Sequence, residues 1–207
     1  PVLQQPAKFG ADLVVHSGTK FLDGQGRTMG GAVCGSIALV DKVMGTFLRS
    51  GGLNIAPFNA WVMLKGLETL SIRVKAESAA ALELATWLEA HPKVARVYYP
   101  GLPEHPQHAR ATELFRHYGG LLSFELVDGA DYVDMLNHLR YAVRATHLGD
   151  TRTLVIPVAP TIYWEMGAER RASMGIADSL VRVSVGIEDE ADLVADFTQA
   201  LDAISLD

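Results

Sequence analysis

Cysteine is nearly absent: the 207-residue chain has one, Cys34, so no internal disulfide can form. Its apolar setting between Gly31 and Ser36 reads as that of a buried small residue. The expected compartment is reducing, the cytoplasm. Long apolar runs are missing too, and the longest fall well short of the roughly 20 residues a bilayer crossing needs. A helical membrane span is therefore excluded, and a soluble protein is expected. Positive charge is scarce, with 18 Lys and Arg against 24 Asp and Glu and a formal net charge of -6. No clustered basic surface for phosphates is expected, which argues against a nucleic-acid partner. Residues 1–6 lack the basic stretch, apolar run and small-residue cleavage site of a secretory signal, and Pro1 reads as mid-protein sequence. Repeats, low-complexity tracts and Ser- or Pro-rich linkers are absent as well.

Hydrophobic residues make up 49% of the chain and charged ones 20%, enough to bury a sizeable core in one domain or two small ones. Residues 11–15 form a short apolar run ending in small polar residues, the pattern of a buried strand feeding a loop. After the glycine-rich stretch 23–31, a second run over 32–40 predicts another strand, antiparallel to the first. From Pro57 the period changes. Met63, Leu64, Leu67, Leu70, Val74, Ala81, Leu84 and Leu88 recur at helical spacing, with Pro57 near the start and His91-Pro92 as the stop. One long helix or two would fit. Beyond it the pattern alternates: a strand near 94–98, a helix after Pro106, a strand at 121–127 and a helix after Asp131. Asp189, Glu190 and Asp192 place negative charge at a helix start. Leu193, Val194, Phe197, Leu201 and Ile204 then form the stripe of an amphipathic closing helix. A domain boundary is placed near residue 70, inside the long helical stretch, with an α+β domain over 71–207.

Ser17-Gly18-Thr19-Lys20 follows the first predicted strand directly, so these side chains emerge at its carboxyl end, where ligands of open α/β sheets sit. Two hydroxyls flanking a glycine can donate to a phosphate, and an amine one residue on can reach an attached aldehyde. A lysine becomes nucleophilic there through desolvation or a neighbouring positive centre. Ser, Gly, Thr and Lys are also common in surface turns, and four residues alone do not decide the matter.

The surroundings are more specific. Gly10-Ala11-Asp12-Leu13-Val14-Val15-His16-Ser17-Gly18-Thr19-Lys20-Phe21 resembles the cofactor-lysine segment of the Cys/Met-metabolism pyridoxal-phosphate enzymes, the trans-sulfuration family. Further blocks follow in the family's order: Pro57-Phe58-Asn59-Ala60-Trp61 through Gly66-Leu67-Glu68-Thr69-Leu70, Tyr99-Pro100-Gly101-Leu102-Pro103, residues 119–126 and residues 180–189. The resemblance implies a fold-type I, α/β architecture, with residues 1–70 the end of the large cofactor domain and 71–207 the C-terminal domain. It implies pyridoxal 5'-phosphate as cofactor, Lys20 as its Schiff-base lysine and proton carrier, and Ser17 and Thr19 as phosphate contacts. Asp23-Gly24-Gln25-Gly26-Arg27 is most similar to the O-succinylhomoserine sulfhydrylase branch, which implies γ-replacement by sulfide to give homocysteine. Cystathionine γ-synthase and the methionine and cystathionine γ-lyases are the alternatives.

Residues 180–186 alternate, with Val181, Val183 and Val185 on one face and Leu180, Arg182 and Ser184 on the other. A strand arginine is generically a surface or ion-pair residue. The resemblance instead implies that Arg182 forks the substrate α-carboxylate, a task suited to the planar guanidinium. Thr146-His147-Leu148-Gly149-Asp150 resembles the block lining that carboxylate, but relatives often have Ser or Asn where His147 stands. His147 is either a substrate contact or proton shuttle, or a packed loop histidine. Ile156-Pro157-Val158-Ala159-Pro160 departs likewise from the family's pattern. His105, His108, His117 and His138 form no ligand-like cluster, so no metal site is expected. Family members are about twice as long, so the chain is similar to a C-terminal half. An aspartate for the pyridine nitrogen, an aromatic stacking partner, a glycine loop, and a Tyr and Arg from a neighbouring subunit would lie upstream. The partners implied are a small amino-acid substrate and a further copy of the protein, as dimer or tetramer. The alternative for the chain alone is a non-catalytic folding or interaction module.

Overall fold

The computed structural model describes residues 1–206. Strand β1 (Leu13–Ser17) pairs antiparallel with β2 (Gly31–Gly35), His16 opposite Ala32 and Ser17 opposite Gly31. Between them a π-type turn covers Gly18–Leu22. β1 is two residues downstream of its expected place, and its alternate side chains are exposed rather than buried, because β2 is its only strand partner among the described residues. The second expected strand stops five residues early. Ser36 caps a helical segment instead, its Oγ accepting from Leu39 N at 3.3 Å. The chain continues through α1 (Ile37–Leu39), a π segment (Val40–Met44) and α2 (Gly45–Gly51). Cys34, expected inside, is exposed on the two-stranded ribbon that β1 and β2 form.

Helix α3 (Pro57–Glu89) is one unbroken element of 33 residues, with proline in its first turn, and it passes through residue 70 without interruption. After it come β3 (Val94–Tyr98), α4 (His108–Leu114), β4 (Leu121–Leu126), α5 (Tyr132–His138), β5 (Val143–Arg144), β6 (Leu154–Pro157), α6 (Gly167–Ser173), β7 (Val181–Ser184) and α7 (Glu190–Ala203). The five strands form a sheet in the order β3-β4-β7-β6-β5, antiparallel except for the β5/β6 edge. Period-two burial explains why it lies flat on the helices. Leu122, Phe124 and Leu126 of β4 and Val181, Val183 and Val185 in and after β7 face Ala81, Leu84 and Leu88 of α3 and Leu193, Phe197 and Leu201 of α7. Phe124 and Phe197 meet edge to face, centroids 6.3 Å apart at 74°. This is an α/β architecture. The opposite sheet face carries Arg182, with Ser123 and Ile156 beside it in register. No helix among the described residues is long and apolar enough to cross a membrane.

Candidate functional site

The lysine turn is held from several sides. Gly18 N donates to Gly30 O at 2.8 Å, and a Cβ at Gly18 would lie 2.4 Å from Met63 Sδ and 3.0 Å from Gly30 C, so a larger residue would have to displace the Met63 side chain of α3. Lys20 breaks the helical run with φ -91° and ψ -125°, which turns its side chain out of the spiral. Asp23 N and Gly24 N close the turn on the carbonyls of Gly18 and Lys20, at 3.0 and 2.8 Å. Asp23 is buried and accepts from Arg27 N at 2.6 Å and Arg27 Nε at 2.9 Å, which folds the 23–27 segment back on itself.

A second loop, residues 146–152, presses against this turn. Gly149, at φ +73°, has room for a backbone approach that a Cβ would block, 2.8 Å from Phe21 N. Thr151 N donates to Gly24 O at 2.9 Å, and Gly149 N donates to Ser184 Oγ at 2.9 Å. Ser184 is buried here, on the sheet face opposite the α3 and α7 core. The approach brings Lys20 Nζ to 3.2 Å from His147 Nδ1, across 127 residues of sequence. Burial first, and the Lys20 charge second, hold the His147 imidazolium below its ordinary pKa, so the ring is neutral near pH 7 and Lys20 donates to it. Arg182 reaches the same loop from β7, donating through one terminal nitrogen to Thr146 O at 2.9 Å and His147 O at 3.0 Å. Its Nε is buried without a partner among the described residues, as is His147 Nε2.

Lys20, His147 and Arg182 therefore form one contact chain. Ser17 is exposed and Thr19 half-buried on either side of buried Gly18, and no side-chain hydrogen bond engages either hydroxyl among the described residues. A hollow of about 570 Å³ lies beside them, lined by Ser17, Lys20, Phe21, Val74, Tyr118 and Leu148. Thr19, His147 and Arg182 do not line it. A larger surface hollow of about 670 Å³ runs along α7 past Glu83, Val194 and Asp202 and holds no such chemistry. Among the described residues no cluster of His, Cys, Asp and Glu has the makings of a metal site. The sequence reading missed Asp23 as a clamp, Arg73 and Glu77 beneath the turn, and Asp150, whose carboxylate accepts from Arg152 N at 3.0 Å. The readable signal was charge placed on an apolar helix stripe: Arg73 and Glu77 sit four apart, in line with Gly66, Leu70 and Leu84.

Comparison with known proteins gives a consistent picture. A model of the family described as Cys/Met metabolism PLP-dependent enzyme matches residues 1–202. An O-succinylhomoserine sulfhydrylase of Pseudomonas aeruginosa is 49% identical over 205 residues, 99% of this chain and 51% of that protein. Among solved structures, a cystathione gamma lyase from Micromonospora echinospora superposes with a TM-score of 0.94 at 36% identity, over 98% of this chain and 53% of that one. A cystathionine gamma synthase from Xanthomonas oryzae pv. oryzae, in complex with aminoacrylate and cysteine, gives 0.92 at 39%, over 98% and 52%. The chain spans about half the length of the curated sulfhydrylases it matches.

Proposed function

Because the chain belongs to the Cys/Met metabolism PLP-dependent enzyme family, a family that works with pyridoxal 5'-phosphate, we propose that the protein carrying it is an O-succinylhomoserine sulfhydrylase. It would replace the succinyl group of O-succinylhomoserine with sulfide to give homocysteine. The observation that carries this reading is the contact chain from Lys20 Nζ through His147 to Arg182. Identity to the Pseudomonas aeruginosa sulfhydrylase supports this choice over the synthases and lyases, and so does the sequence of the Asp23–Arg27 segment, which is most similar to the sulfhydrylase branch.

The residues present fit the cofactor. Lys20 offers an amine at the edge of a hollow, Ser17 and Thr19 offer uncommitted hydroxyls for its phosphate, and Arg182 keeps a buried Nε–H without an acceptor. When bound, the cofactor supplies the electron-withdrawing ring that makes the substrate α C–H acidic. Arg182, steadied by two loop carbonyls, receives the substrate α-carboxylate. The neutral His147 ring accepts from Lys20 and aims its amine, while Lys20 carries the proton between substrate carbons. We propose too that residues 1–70 belong to the cofactor domain and 71–207 to the C-terminal domain, with α3 bridging them. The working form would be a homodimer or homotetramer in the cytoplasm.

The test is homocysteine formation from O-succinylhomoserine and sulfide by the protein carrying this chain, loaded with pyridoxal phosphate. Lys20→Ala should lose the visible band of the lysine-bound cofactor and lower turnover by roughly 10³-fold. Formation of cystathionine from cysteine, with none of homocysteine from sulfide, would reassign the protein to the synthases.

A further inference from the structure

Arg73 is buried on α3, directly under the lysine turn. One terminal nitrogen donates to Phe21 O at 2.9 Å and to Gly66 O at 2.9 Å, and Nε donates to Thr69 Oγ1 at 3.1 Å. The guanidinium also fills the space beside Gly24, where a Cβ would come within 2.4 Å of its Cζ. Gly24 in turn donates to Lys20 O, so Arg73 holds the turn at Phe21 and at Gly24, both just after the residue whose backbone leaves helical geometry. Glu77, one helical turn on, is fully buried with its carboxylate 3.9 Å from Arg73 Nη1, and neither of its oxygens has a hydrogen-bond partner among the described residues. The charged groups acting on Glu77 are Arg73 on its own helix and Asp150 from the 146–152 loop. Asp23 and Arg27 of the lysine segment act on Arg73 in turn. On the sheet side Glu77 packs against Gly120, which does not titrate.

We propose that Arg73 is a positioning residue for Lys20, clamping the Phe21 carbonyl so that the kink at Lys20 is fixed, with Glu77 as the charge that sets how firmly the clamp holds. The proposal rests on Lys20 being the cofactor lysine. It differs from a packing role because the clamp acts on one turn and not on the sheet core, and because it follows the ionisation of Glu77. Burial raises the Glu77 pKa to about 7, so its charge changes inside the working pH range.

The experiment uses the protein carrying this chain, exposed to pyridoxal phosphate and borohydride, with the rate of reductive labelling at Lys20 read by peptide mass spectrometry. Amide hydrogen exchange is read in parallel. Arg73→Met should slow labelling by roughly tenfold or more and speed exchange in residues 18–24 while β4 and β7 keep their protection. Arg73→Lys should recover part of the rate, because an ammonium can still donate to Phe21 O. Glu77→Gln should alter the pH profile of labelling, so that its ratio to the wild-type rate changes by about threefold between pH 6 and 8. Wild-type labelling in Arg73→Met, or exchange rising equally across the sheet without rescue by Arg73→Lys, would overturn the proposal. If Arg73→Met does not fold, Glu77→Gln decides, and a wild-type pH profile there sinks the idea. Label persisting in Lys20→Ala would show instead that the lysine itself was wrongly assigned.

Discussion

Glu77 is the residue most at odds with its surroundings. Its side chain is fully buried, yet neither oxygen finds a donor among the described residues. Burial raises its pKa to about 7, Arg73 pulling the other way, and burial also lowers that of Arg73. Desolvation thus outweighs the mutual attraction at 3.9 Å, the usual outcome for an enclosed pair without supporting hydrogen bonds. The folded chain holds the Glu77 proton more tightly than the unfolded chain does. The stability this gives is fully present below about pH 4.5 and is lost as pH rises through about 7. Wild-type protein should accordingly show a urea midpoint that falls between pH 5 and 8. Glu77→Gln should flatten that fall, gaining on the order of 2–3 kcal/mol over wild type at pH 8 and little at pH 5. Parallel midpoint-against-pH curves for the two proteins would mean that Glu77 is not the titrating group. The lysine turn was readable because Ser17, Gly18, Thr19 and Lys20 are adjacent in sequence. The partners of Lys20 were less so, since His147 is 127 residues away and only the packing of two loops brings them together.

Among the elements, α7 shows how a polar residue enters an apolar stripe. Asp196 is buried between Leu193 and Phe197 on the face that meets α5, and its carboxylate accepts from the backbone N–H groups of Arg140, Tyr141 and Ala142 at 2.8, 2.9 and 3.1 Å. It acts as the cap for the chain leaving α5, where no helix supplies acceptors. Asp196→Ala leaves one buried and two partly buried donors without this acceptor and should cost about 2 kcal/mol in urea unfolding. Asp196→Asn keeps one acceptor and should cost clearly less; equal losses in the two variants would point to packing alone. Elements with a written start were legible in the sequence. Pro57 opens α3, Asp131 accepts from Val133 N and Asp134 N at the head of α5, and Asp189 accepts from Ala191 N at the head of α7. The segment after Gly35 was not legible, because Ile37, Leu39 and Val40 suit a strand as well as a helix and only the hydroxyl of Ser36 decides between them. Asp196 escaped notice for a related reason: helical period reports which face is buried, not which backbone donors wait there.

Across the whole molecule, burial is uneven. The sheet and the facing sides of α3 and α7 enclose a continuous core, whereas the region from Met29 to the first turns of α3 leaves Met29 80%, Phe47 72%, Phe58 70% and Trp61 55% exposed. Phe58 and Trp61 lie together, ring centroids 5.9 Å apart, on the outer side of α3. Isolated apolar side chains are ordinary on a surface, but several large ones in one region make a candidate contact face. The net charge of -6 does not oppose this, because the region holds few charged residues and repulsion between copies would be spread over the remaining surface. The occupant proposed is a second copy of the protein carrying this chain, through a two-fold contact in which the same region meets itself. Light scattering should then give a mass of two or four protomers. Phe58→Glu with Trp61→Glu should lower that mass toward one protomer, since two charges buried in a self-matching contact meet their own copies. Unchanged circular dichroism would show that the loss is one of association and not of folding. An unaltered oligomeric mass in the double variant would place the contact elsewhere on the molecule.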